Sequence, residues 1–266
     1  WDRRPEWRDL TDHDMTELAI WLQHADINIR VDRAGGAVEA VARRAGGHHP
    51  VRAYLEGLTW DGTPRVGSWL AAYLGADGSD SDRGRYIAAV GRCWLISAIA
   101  RVFQPGCKAD AALILEGEQG AMKSTSMRVL CGADWFADEI AQLGGKDAAQ
   151  DIRGKWVIEL AELSAMSRGE VETMKAFMSR AVDHYRPSYG RKSIDVPRQC
   201  VFVGSTNRDD YLKDDTGNRR FWPVKVGTIK IKSLMADRNQ LWAEAAHLFR
   251  KGERWWLTKE EEALAQ

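Results

Sequence analysis

The chain is 266 residues long, 44% hydrophobic and 29% charged, with 38 Lys and Arg against 38 Asp and Glu. That length holds one large domain or two smaller ones, and the composition is that of a soluble globular protein, not a disordered or fibrous one. Balanced charge excludes a generally polycationic chain, so any polyanion site has to come from local clustering.

No apolar run approaches the roughly 20 residues needed to span a bilayer, so no membrane association is expected. The chain opens on Trp1 instead of Met, which points to a piece of a longer protein with neighbouring domains. Cys93, Cys107, Cys131 and Cys200 lie far apart with no C-x-x-C pair. That argues against a zinc site or a disulfide framework and for a reducing cytoplasm.

Residues 1–107 read as a helical region. In "TDHDMTELAIWLQHA", Thr11 or Asp12 caps a helix carrying Met15, Leu18, Ala19 and Leu22 at helical spacing. "AVEAVARRAGG" is a short helix stopped by Gly46 and Gly47, and "HPVRAYLEGL" opens a helix at Pro50. "WDGTP" is a turn; "VGSWLAAYLG" and "DRGRYIAAVGRCWLISAIARVF" are further helices. "QPGCKAD" then breaks the chain, a domain seam. After it, "AALILE", "KWVIEL", "CVFVGS" and "FWPVKV" are short apolar runs of strand length, separated by helical stretches such as "STSMRVLC" and "GEVETMKAFMSRAV". Continuous apolar strands alternating with helices specify an α/β fold with a mostly parallel sheet covered on both faces. "KSLMADRNQLWAEAAHLFRKG" is a late helix and "TKEEEALAQ" begins another. The expected domains are 1–107 helical, 108–228 α/β core and 229–266 C-terminal helices. Trp21, Trp69, Trp94 and Trp242 fall inside helical patterns and are expected in the core.

The stretch "LILEGEQGAMKSTSMRVL" has the layout of a phosphate-binding loop: strand, Gly-containing turn, helix. Gly117, Glu118, Gln119, Gly120, Ala121 and Met122 form the turn, and Lys123, Ser124 and Thr125 open the helix. Turn amides and the helix N-terminus converge on phosphate oxygens, the Lys ammonium neutralises the outer phosphates, and the Ser hydroxyl ligates Mg²⁺. Met122 stands where the usual signature has its second glycine. The cradle survives if Met122 holds a negative φ with its side chain turned away. A surface turn before a helix would carry the same letters; the position between strand and helix favours the phosphate reading.

Glu159 and Glu162 end the "KWVIELAEL" strand, at the carboxyl edge where ligands gather in such sheets. A carboxylate there holds Mg²⁺ or orients water. Asn207 tips the "CVFVGSTN" strand, in reach of a γ-phosphate or that water. Arg219 and Arg220 in "TGNRRFWPV" are placed to stabilise phosphoryl charge, in cis or from a neighbour. Each has a bland counterpart: an exposed Glu, a turn-forming Asn, a solvated arginine pair. Their order between residues 117 and 220 is what favours one site.

"HPVRAYLEGLTWDGTPR", "FQPGCKADAALILEGEQG", "ELAELSAMSR", "VDHYRPSYGR" and "PRQCVFVGSTNRDDYLKDDTGNRRFWPV" together resemble the virulence-associated E (VapE) family of phages, plasmids and mobile islands. The family is grouped with superfamily 3 helicases and primase–helicases among AAA+ ATPases, and the resemblance spans roughly residues 48–250. It implies a P-loop ATPase core acting as a ring-forming motor, a hexamer, that uses ATP and Mg²⁺ to move on single-stranded DNA and open forked duplex. A primase domain or protein is an implied partner, and a bacterial host cytoplasm the implied location. Gly117, Gly120, Lys123, Ser124 and Thr125 then correspond to the Walker A loop, Glu162 to the Walker B glutamate with Glu159 as second acid, Asn207 to the sensor, and Arg219 or Arg220 to a finger entering the next subunit. The usual adjacent Asp-Glu pair is absent.

"HYRPSYGRKSIDVPR" reads as a loop or hairpin carrying Tyr185, Arg186, Tyr189, Arg191 and Lys192. Residues 186–232 hold 11 Lys and Arg against 5 Asp, a local +6. Cations interleaved with rings suit a single strand, so Arg186, Tyr189, Arg191 and Lys192 are the expected DNA contacts; a solvated hairpin is the plainer reading. Two alternatives to a motor stay open: a nucleotide-switched binding module for DNA or a partner, and a small-molecule phosphotransferase on the same loop.

Overall fold

The computed structural model describes residues 11–44, 48–138, 148–160, 166–187, 192–207 and 218–264. The chain forms two compact units, Trp1–Pro50 and Val51–Gln266.

In the first unit α1 (Asp12–His24) and α2 (Val31–Arg44) make a helical pair. Thr11 caps α1 reciprocally: its hydroxyl accepts from the Asp14 amide, and the Asp14 carboxylate accepts from the Thr11 amide. Helix α2 starts six residues before the expected Ala37, running through Gly35 and Gly36. A Cβ at Gly35 would sit 3.7 Å from Met15 Sδ, so tertiary contact with α1 offsets the poor helix propensity there. Trp21 is 54% exposed, which corrects its assignment to the core: its neighbours Leu18, Ala19 and Leu22 carry the more buried face.

The second unit contains α3 (Pro50–Glu56), α4 (Trp69–Leu74), α5 (Ser81–Phe103), β1 (Ala112–Glu116), α6 (Lys123–Cys131), β2 (Phe136–Ala137), α7 (Ala148–Asp151), β3 (Val157–Leu160), α8 (Arg168–Met178), β4 (Val182–Tyr185), β5 (Ile194–Pro197), β6 (Val201–Thr206), β7 (Phe221–Lys225), α9 (Ile231–Arg250) and α10 (Lys259–Ala263). Five strands form a parallel sheet in the order β2-β3-β6-β1-β7. The expected α/β architecture is present, one strand wider than the sequence shows, because two-residue β2 has no periodic signal of its own.

Both faces of the sheet are covered, and the strands alternate accordingly. Leu113 and Leu115 of β1 join Val203, Trp222 and Val224 in a core with α5, α6 and α9. Ala112 and Ile114 point the other way, into a cluster with Phe202, Ile158 and the α8 residues Met174, Phe177 and Met178. Three fully buried indoles tie the first core to the backbone: Trp94 Nε1 donates to Phe202 O at 2.8 Å, Trp156 to Ala98 O at 2.9 Å, and Trp242 to Leu130 O at 2.7 Å. These three N–H groups thus find acceptors, whereas Nε1 of Trp69, buried in the same core, has none among the described residues.

By length and composition α5 would suffice to cross a membrane, which corrects the expectation that no run approaches that length. With 83% of its apolar window buried, it serves as a core helix of this unit. Gly75 closes α4 at φ +66°, and a Cβ there would meet Thr228 N at 2.8 Å. Only glycine allows that crossing of the α4 end over the β7–α9 connection. The Glu244 carboxylate of α9, 5% exposed, accepts from the amides of Arg65 (2.5 Å) and Val66 (2.9 Å), fixing the loop before α4.

Candidate phosphate-binding site

Strand β1 lies between β6 and β7, and the chain leaves its carboxyl end through residues 117–122 into α6. The connection departs toward β2 at one edge of the sheet while β7 closes the other side. This is a topological switch point, where a crevice opens above the strand ends.

The turn depends on two left-handed residues. Gly120 has φ +82° and Met122, the residue before α6, has φ +61°. Met122 thus does not meet the condition of a negative φ set for the cradle, and the condition itself is corrected, since the turn is built with this residue left-handed. The usual glycine belongs here because the path requires the left-handed region, and Met adopts it at a cost of roughly 1–2 kcal/mol. Its side chain is nonetheless turned outward, 48% exposed.

Lys123, 9% exposed, folds back over this turn. Its Nζ donates to Gly117 O at 2.7 Å and to Glu118 O at 2.8 Å. Burial pushes the ammonium's pKa down, and the Glu159 carboxylate pulls it partly back up. An ammonium in that setting, satisfied by loop carbonyls, is available to exchange them for phosphate oxygens. Gly117 is anchored by its amide to Thr206 O at 3.1 Å, which places exposed Asn207, the next residue, beside the loop entrance. Gln119 lies in the turn, Ala121 N donates to Glu118 O at 3.3 Å, and Thr125 is exposed on the first turn of α6.

Glu159 sits on β3 opposite Val203 of β6, so its side chain shares a face with Ser205 two residues on. Its Oε1 accepts from Ser205 Oγ at 2.7 Å and from Ser124 Oγ at 2.7 Å. A carboxylate 5% exposed, bridged by hydroxyls to the residue after Lys123, is a donor set of the hard-oxygen kind that suits Mg²⁺. Ser205 was not singled out from sequence; its signal is the strand register, which the letters alone do not display. Glu162 lies outside the described residues.

Arg219 and Arg220 end a 3₁₀ turn (Asn218–Arg220) that feeds β7. Because Phe221 pairs with Ala112 and Lys225 with Glu116, the arginines stand at the amino edge of the sheet, the opposite edge from the loop. Four residues of strand alone separate the edges by about 13 Å. Arg220 Nε lies 3.4 Å from Asp110 Oδ2, and Arg219 is exposed.

The expected hairpin is present as antiparallel β4–β5, with Tyr185 opposite Ile194. Arg186 and Lys192 are exposed near its tip, while Tyr189 and Arg191 lie outside the described residues. Tyr185 is 5% exposed, so its ring belongs to packing and not to a base-stacking surface. At the base of the hairpin, Arg198 donates through Nε to Asp183 Oδ2 at 2.9 Å, with a second contact to Oδ1 and a bond to Phe177 O. Its guanidinium lies 4.4 Å from the Phe177 ring centroid.

The family model described as virulence-associated protein E-like domain matches residues 55–266. No curated protein matches the chain. Among solved structures the chain is similar to the A form apo structure of the NrS-1 C-terminal region, with TM-score 0.54 and 14% identity over 79% of this chain and 53% of that one. A second apo structure of the NrS-1 C-terminal region gives TM-score 0.52 and 13% identity over 80% and 53%. The chain spans about half the length of these structures, and at such identity the likeness is one of fold.

Proposed function

This chain belongs to the virulence-associated protein E-like domain family, and from that footing we propose that it is an ATP-driven DNA motor module of the superfamily 3 kind, built on an AAA+ P-loop core. The observation that carries the proposal is Lys123 clamped over the 117–122 turn while Ser124 reaches buried Glu159, all at the switch point beyond β1. Residues 117–125 would hold the triphosphate of ATP: amides and the α6 N-terminus toward its oxygens, Lys123 on the outer phosphates. Ser124 and Glu159 would hold Mg²⁺, and Glu162 or Glu159 would take the proton of the attacking water. Asn207 would orient that water or the γ-phosphate. Bound Mg²⁺–ATP supplies the phosphoryl bond whose hydrolysis drives movement.

The edge-to-edge separation of Arg219 and Arg220 from their own loop supports a finger acting on a neighbouring copy, hence a ring, in proposal a hexamer. Single-stranded or forked DNA would run past the β4–β5 tip with Arg186, Tyr189, Arg191 and Lys192, with a primase as a further partner. The division into 1–107, 108–228 and 229–266 is proposed as one of function only, since α5 and α9 share the core of the sheet within one folded unit, and a bacterial cytoplasm is the proposed setting.

Met122 at φ +61° favours a second reading, a nucleotide-switched module that assembles on DNA or a partner without processive unwinding. ATP turnover with and without single-stranded DNA, beside strand displacement on a fork, tests the two. The motor requires DNA-stimulated turnover and displacement with ATP but not with a non-hydrolysable analogue. Turnover indifferent to DNA contradicts the motor and is the mark of a phosphotransferase.

A further inference from the structure

Away from the phosphate loop, at the amino edge of the sheet, a cavity of about 440 Å³ is lined by Lys108, Asp110, Arg219, Arg220, Trp255, Trp256 and Glu262 among others. Its volume falls in the range of small-ligand pockets. Two tryptophans form an aromatic wall that the fold holds in place. Trp255 Nε1 donates to Lys108 O at 2.8 Å, and its ring packs 5.9 Å from Phe249. Trp256 stands edge-on to it at 5.3 Å and 81°, and its backbone carbonyl accepts from the Cys93 thiol at 3.4 Å. The Trp256 side chain is left 57% exposed, although a ring of that size gains by leaving water.

Cations flank this wall. Asp110 is engaged by Arg220 at 3.4 Å, while Lys108 and Arg219 are exposed, against one further carboxylate, Glu262. Indole faces beside ammonium and guanidinium groups recognise a flat heteroaromatic base that carries a phosphate. We propose that this cavity binds one nucleotide unit, its base against Trp256 and its phosphate toward Lys108, the exposed cation of the lining that the motor does not use. The occupant is either a free mononucleotide or a single unit of a nucleic-acid strand. The site is separate from the 117–125 loop and does not rest on that loop's role.

The test is photo-crosslinking with 5-iodo-dUMP and with a 5′-phosphorylated oligothymidylate bearing one 5-iodouracil, using full-length Lys123→Ala protein so that the loop's lysine is absent. The adduct is expected on the peptide holding Trp255 and Trp256. Labelling by the mononucleotide identifies the free ligand as an occupant, and labelling by the oligonucleotide alone identifies the strand. Trp256→Ala and Lys108→Ala, both at exposed side chains, are each expected to weaken binding about tenfold with unchanged thermal unfolding. No adduct at these tryptophans, label confined to residues 186–192, or unaltered affinity in both variants would overturn the proposal.

Discussion

Met122 shows how a sequence signature encodes a backbone angle and not a side chain. At φ +61° with its side chain outward, Met pays for a conformation glycine adopts freely and contributes little packing in return. Met122→Gly is therefore expected to leave stability unchanged or raise it by up to ~1 kcal/mol, the relief of strain being offset by glycine's larger unfolded-state entropy. Met122→Val should destabilise, because a β-branched residue tolerates that region worst. Thermal unfolding of the three proteins checks the order Gly, Met, Val. The cysteines follow burial. The thiols of Cys93 and Cys200 are pushed up to about 11 and that of Cys131 to about 12, whereas Cys107 is only half-buried. Under native conditions a thiol reagent should modify Cys107 first and the other three only on unfolding, a pattern read by peptide mass.

Among the elements, the β4–β5 hairpin is pinned to α8 by Arg198 and Asp183, 1% and 4% exposed at their side chains. Removing one partner leaves a buried charge unpaired, so Asp183→Ala is expected to cost about 3–5 kcal/mol in urea unfolding. Arg198→Met with Asp183→Leu should cost far less, since the pair carries its own desolvation penalty. Sequence displayed the hairpin through Pro187, Gly190 and Pro197, but not this pin, because nothing in the letters joins Asp183 to Arg198 before register is known. The four longer strands and α3, α5, α6 and α9 are legible from apolar runs and from Pro50 as punctuation. Strand β2 and helix α7, two and four residues long, are too short to show a period. They form because β3 and the α8-side core are already there for Phe136 and Ala148 to join.

At the scale of the whole molecule, the loop, the Glu159 carboxylate and Asn207 lie at the carboxyl edge of the sheet, while the arginine pair occupies the amino edge. Sequence order alone left the arginines able to act in cis or in trans, and only the register of β7 on β1 separates them. On the proposed trans arrangement, Lys123→Ala and Arg219→Ala, each expected to be inactive alone, should regain turnover when mixed, since an intact loop then meets an intact arginine across one interface. Glu159→Gln should keep the fold, its amide still accepting from Ser124 and Ser205, while lowering turnover by at least tenfold through loss of the metal-holding charge.

All of this depends on the turn at 117–122 and the Lys123 ammonium gripping a triphosphate. Titration of the folded protein with a fluorescent ATP analogue and Mg²⁺ measures that grip. Saturable binding, abolished by Lys123→Ala at unchanged thermal stability, is the expected result; absence of saturation, or a Lys123→Ala protein that binds as well as the parent, would contradict it.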